Sequence, residues 1–316
     1  MGDEKIPVRV DAKSFQEPLA WLAETIFEKV FREGAKHAGL PQFAAEDIAM
    51  MLRYSRSIYN LLFYLNADER REGDFGWRMH YGVTAMSLVR SLIDCLYNVT
   101  AILENPAESG AAYRKSGLKR TLSDLEEDRK AYAGQPEWED WVDSRRGPVE
   151  TLIRISGFTL DDVMKQPTWP TLGRYLNDVK GGSPMSSNQQ FLKAFTHLEW
   201  RQYSALSHGA YEAFIGTLGD MPIGSYYVKD FLRHEDRPKI DDSYAAFLSI
   251  HLGRAATVLV CMLTEVQAYC RFDGAHINER LCSVWAALVP LFEAKEFYEG
   301  RYERVMRDRG ILRASS

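Results

Sequence analysis

The sequence predicts an all-α protein, a single large helical bundle of about eight to ten helices. Three observations carry that reading. Apolar residues recur at three-to-four spacing almost everywhere. Glycine and proline are modest, at 22 and 12 of 316 residues. No β-branched run is bracketed by turn signals over long stretches of the chain. With no internal repeat, low-complexity tract or clear linker, residues 1–316 read as one helical domain. Its middle, about 105–186, reads as a charged, less regular insertion, an irregular central excursion from the bundle.

The elements follow from periodicity and its punctuation. A first helix is expected over Ser14–His37, with Leu19, Leu22, Ile26 and Val30 on one face and Gly39 and Pro41 ending it. A second covers about Ala44–Leu65 and a third about Phe75–Leu103, closed by Asn105-Pro106. From Glu108 to Gly134 charge becomes dense (KRTLSDLEEDRKAY), which fits a solvated helix laced with i,i+4 pairs. Pro136 opens a helix containing Trp138 and Trp141, with a kink or break expected near Gly147-Pro148. Thr159 resembles a short helix start, and Pro167, Trp169 and Pro170 force an extended turn in which Trp169 reads as a packed anchor. Gly181-Gly182-Ser183-Pro184 forms a flexible link, and Ser186 with Gln189 makes a capping box for the helix that carries Arg201 and His208. Two apolar helices close the bundle, Asp241–Arg271 and Ala275–Lys295, followed by a charged tail helix over Phe297–Asp308.

Composition narrows the function classes. Hydrophobic residues are 46% of the chain, enough for a substantial core. The net charge of −5 offers no global basic field, so no duplex DNA is expected as a partner. Cys95, Cys261, Cys270 and Cys282 lack CxxC spacing and lie in apolar helical contexts; they read as buried free thiols of a reducing compartment. The N-terminus has no apolar leader, and the most apolar run, Ala255–Leu263, is too short to span a bilayer. A soluble, cytoplasmic protein with no membrane partner is the expectation. No HExxH, ExxH, GxGxxG, P-loop or GxSxG element occurs, so neither a metal nor a cofactor is expected.

Three helices are nearly free of charge. Between Tyr81 and Leu103 the only charged residues are Arg90 and Asp94, which can pair at i,i+4. Between Ser243 and Thr264 only Arg254 is charged, with His251 three positions earlier. From Gln202 to Tyr211 there is no carboxylate or lysine. Such helices are buried on most sides, and a buried guanidinium needs a partner. In the third, Arg201 and His208 are seven residues apart, which on a helix puts them on one face about 10 Å apart. His197, Arg201, Ser204 and His208 fall within about 60° of arc, Glu212 extends the stripe, and Trp200, Tyr203, Tyr211 and Phe214 form a strip beside it. One reading is a polar groove with an imidazole for proton transfer, a guanidinium for a phosphodiester and aromatic rings for bases. The other is a helix with a solvent stripe and a core strip.

The segment RQYSALSH resembles the R-x4–6-H motif of HEPN-like helical proteins, many of them toxin or defence ribonucleases. SLVRSLIDCLYNVTAIL is also similar to an "RSLxE" helix of bacterial helical domains, with Asp94 where the glutamate stands. Together the two cover about 40 residues, and Gln202 replaces the polar residue common after the motif arginine. The resemblance implies a metal-independent endoribonuclease of a bacterial stress or defence system, with RNA as partner. His208 would be its general base or acid and Arg201 would stabilise the phosphorane. Arg90, Asp94, His197, Ser204, Tyr203 and Glu212 would bind or support, in a site often composite across a homodimer. The alternative is a non-catalytic helical binding module.

Overall fold

The structure is a computed structural model that describes residues 13–67, 77–177, 185–195, 203 and 237–312. Helices and no strands occur among these residues, as the periodicity predicts. They are α1 (Lys13–His37), α2 (Gln42–Ala67), α3 (Trp77–Glu104), α4 (Glu108–Ala131), α5 (Pro136–Ile155) and α6 (Leu160–Lys165). Then follow α7 (Leu172–Asn177), α8 (Ser187–Phe195), α9 (Arg237–Cys270), α10 (Ala275–Leu288), α11 (Phe292–Phe297), a π-helical turn (Tyr298–Tyr302) and α12 (Glu303–Asp308).

Helix α9 is the axis of the bundle. It packs against α1, α2, α3 and α10, and most of all against α3. Its residues Leu252, Ala255, Ala256, Leu259, Val260, Cys261, Met262 and Leu263 are all fully buried. Each large aliphatic side chain removed from water contributes about 1.5–3 kcal/mol, so an all-round apolar helix is stable only at such a centre. Direction follows from a few contacts. Arg280 pairs with Glu17, while Lys29 sits over Phe272, so α10 runs antiparallel to α1 and α9 ends beside the α1–α2 turn. Gly110, at the start of α4, lies against Ala44 near the start of α2, so α3 ends there too. Helices α3 and α9 are therefore parallel, and a bridge between Ser55 and Met262 fixes α2 against them.

Helices α4, α5 and α6 enclose a second, smaller core of Leu118, Leu125, Val142, Val149, Ile153 and Val163. Arg114 fastens this unit to α2. Its guanidinium donates to both oxygens of Asp47, to Glu46, to the Phe43 carbonyl and to Ser156. At Gly110 an added Cβ would meet the Ala44 methyl at 3.0 Å, so the crossing of α4 over α2 needs a residue with no side chain.

Several expectations are corrected. Helix α4 is not uniformly solvated: Arg114 is only 10% exposed and bonds at long range. Helix α5 runs unbroken through Pro148. That proline is exposed, so the carbonyl it frees one turn back can be hydrated. The helix expected over 275–295 stops at Leu288: Val289 keeps helical angles, but Pro290 has no N–H to bond the carbonyl one turn back and its ring crowds that turn. The tail is not one α-helix but α11, a π-helical turn and α12.

Several local expectations hold, although Cys282 is only partly buried and the helix opened by Ser186 is described no further than Phe195. Thr159 caps α6 with a reciprocal bond to Asp162, and Ser186 and Gln189 exchange capping bonds at α8. Trp169 is an anchor: its indole N–H donates to Asn98, and its ring packs on Tyr97 and Tyr113. The four cysteines are free thiols, three of them buried. By length and composition Thr84–Glu104 and Leu248–Cys270 could each cross a membrane, a longer span than the Ala255–Leu263 run alone suggests. In this fold the two windows are 67% and 83% buried.

Candidate functional site

On α9, His251 and Arg254 are three residues apart and so share a face. Both meet the side chain of Tyr203, the described residue of the RQYSALSH segment. The Tyr203 phenol is 2.9 Å from His251 Nε2, and Arg254 Nη1 donates to the phenol oxygen. With that oxygen accepting from the guanidinium, the phenol proton is available to His251. The tyrosine then donates to Nε2 of a neutral imidazole carrying its own proton on Nδ1.

The rest of the guanidinium is held by Glu293. Arg254 Nε donates to both carboxylate oxygens at 3.0 and 2.9 Å, and Nη2 donates at 2.6 Å. Glu293 lies in the first turn of α11, where the break after α10 returns the chain toward α9. A carboxylate is favoured at a helix N-terminus. The four groups thus form one line: imidazole, phenol, guanidinium, carboxylate. His251 is 1% and Tyr203 2% exposed, so the line is an internal brace joining three parts of the chain.

Three of the predicted site residues, Tyr203, Arg90 and Asp94, are among the described residues. Tyr203, expected among the binding aromatics, is enclosed, and its ring offers no open face for a stacked base. Arg90 and Asp94 pair across 3.6 Å on α3, with side chains 22% and 34% exposed, and they remain partly open to solvent. Arg201, His208, His197, Ser204 and Glu212 lie outside the described residues. No group of three or more His, Cys, Asp or Glu side chains that could hold a metal occurs among the described residues.

Two polar centres escaped sequence reading. Glu293 looked like one of several charges on an amphipathic helix, and only its place after Pro290 hinted at a special geometry. Arg301, in the π-helical turn, donates to Glu265 at 2.8 Å and to Ser187, bonds Asn188, and lies over the Phe191 ring. It ties α8 to α9. A charged residue between Tyr298 and Tyr302, both on an otherwise apolar stripe, was the available signal. No family model, curated protein or solved structure shows significant similarity to this chain.

Proposed function

We propose that the protein is an HEPN-like, metal-independent endoribonuclease of a bacterial stress or defence system, in which Arg201 and His208 cleave RNA. The observation that supports this reading is the position of Tyr203, which turns its phenol to His251 and Arg254 of α9. On a helix passing through Tyr203, steps of two and five residues set positions 201 and 208 about 160° and 140° away from it. On such a helix the arginine and histidine would share one face, opposite the anchored tyrosine, as a site for a phosphodiester requires. His208 takes the ribose 2′-hydroxyl proton as the 2′-oxygen bonds to phosphorus. The 5′-oxygen then leaves with a proton from an acid at the site, and Arg201 neutralises charge on the phosphorane. The Arg90–Asp94 pair supports the site from α3, and a second copy of the chain completes it.

A second reading, a non-catalytic helical binding module, draws on the brace itself. Tyr203, His251, Arg254 and Glu293 direct their polar atoms at one another, as in a purely structural network. Cleavage of single-stranded RNA in the presence of a chelator decides between them. The nuclease reading expects activity that falls by about 100-fold or more in His208→Ala and Arg201→Ala. Equal cleavage by wild type and both variants, or none with any RNA, leaves only the binding module.

A further inference from the structure

A small cavity lies at the corner between α9 and α10, with a volume of about 150 Å³. Gln267, Arg271, Asp273, Gly274, Asn278 and Arg309 form its polar wall. It is far from the Tyr203 brace, since sixteen residues of helix from His251 to Gln267 span roughly 24 Å.

The decisive observation is Gln267, which is 2% exposed. Its Nε2 donates to the Phe272 carbonyl and to Asn278 Oδ1, each at 3.0 Å. Turning the amide over would set its oxygen against the Phe272 carbonyl, so the orientation is fixed by chemistry. Its Oε1 is buried and accepts no hydrogen bond. A buried acceptor with no donor is costly, and a donor arriving from the cavity would satisfy it.

The rest of the wall asks for an anion. Helix α10 starts here with Gly274 as its N-cap, no side-chain cap bond and no acidic residue in its first turn. Its positive end is therefore not answered by a carboxylate from its own first turn. Arg271 and Arg309 add two guanidinium groups. Arg271 sits at φ 52°, in the left-handed region, directly after the end of α9, where glycine is usual. Asp273 adds a carboxylate acceptor to the same wall. The ligand must therefore carry negative oxygens for the cations and amides, and one proton that it can donate to Gln267 Oε1.

We propose that this cavity binds hydrogenphosphate. Inorganic phosphate keeps at least one P–OH throughout the neutral range, and sulfate has none. A phosphate monoester, with its second pKa near 6, is mostly stripped of that proton at pH 7. The site thus prefers free phosphate to either.

Isothermal titration of the full chain with inorganic phosphate, sulfate, methyl phosphate and glycine tests this at pH 7. Phosphate is expected to bind, with sulfate and the monoester at least about tenfold weaker, the scale of one lost charge-assisted hydrogen bond. Arg309→Ala and Arg271→Gly should each weaken phosphate by about tenfold or more. Arg271→Gly suits the left-handed backbone, and the melting temperature of each ligand-free variant is recorded beside its phosphate affinity. That separates a lost ligand contact from a lost fold. Failure of phosphate to bind at millimolar concentration, equal binding of sulfate, or binding of glycine in place of phosphate would each overturn the proposal.

Discussion

The Tyr203 hydroxyl stands 2.9 Å from Nε2 of His251, forty-eight residues along the chain, and ties the RQYSALSH segment to the central helix. Removing only that oxygen, in Tyr203→Phe, leaves an imidazole nitrogen and a guanidinium N–H short of a partner in the interior. The expected loss is about 1–3 kcal/mol, read from guanidinium chloride unfolding. Unchanged stability would mean that water reaches these groups and that the brace is not an interior one.

Glu293 and Glu303 each pair with an arginine, but in different surroundings. The side chains of Arg254 and Glu293 are 24% and 26% exposed, against 68% and 40% for Arg307 and Glu303. Glu303→Ala should alter stability by less than about 1 kcal/mol, as exposed pairs do. Glu293→Ala should cost clearly more, since it strands a guanidinium that also bonds a buried phenol. Similar melting temperatures for the two variants would contradict this ordering.

Arg114 joins α4 to α2 by a fork of bonds that one ammonium cannot copy. In Arg114→Lys, amide exchange is expected to quicken across α4, α5 and α6 while α9 stays protected. The expected global cost is about 1–3 kcal/mol. Faster exchange spread evenly over all helices would show that the small core has no independence.

Asp162 accepts from the Thr159 hydroxyl and backbone N–H, and these bonds hold its carboxyl below the usual 3.8. A lowered folded-state pKa means that the cap's contribution is present above 3.8 and fades as pH falls through the depressed value. An NMR titration should place Asp162 below 3.8 in wild type and closer to it in Thr159→Ala.

Burial pushes every thiol up: Cys95 to about 11, Cys270 to about 12, Cys261 well beyond the ordinary value, and Cys282 upward. The thiolate is the reactive form. At pH 8 the native protein should react slowly with an aromatic disulfide reagent, Cys282 first because it alone is partly exposed. In denaturant all four should react promptly. A fast native thiol other than Cys282 would place that cysteine at the surface.

Much of the architecture was legible because helix periodicity and its stop signals are local. The end of α1, the start of α2 and the end of α3 lie within two residues of those read from Gly39-Pro41 and Asn105-Pro106. The Arg90–Asp94 pair was legible for the same reason, since four residues on one helix determine who can meet. Glu293 and Arg114 were not, because their partners are 39 and 67 residues away and depend on how helices cross. The π-helical turn was equally hidden: nothing in Tyr298–Tyr302 distinguishes it from the α-helix on either side.

The central place of α9 has a consequence for synthesis. Helices α1, α2 and α3 are complete by Glu104, but the segment that covers their inner faces ends at Cys270. At 5–20 residues per second, the ribosome takes roughly 8–30 s to make the intervening chain. For that interval the nascent three-helix trough presents Leu92, Leu96 and Val99 to the solvent without the helix that will bury them. A product truncated before α9, with those side chains left uncovered, is therefore expected in the insoluble fraction.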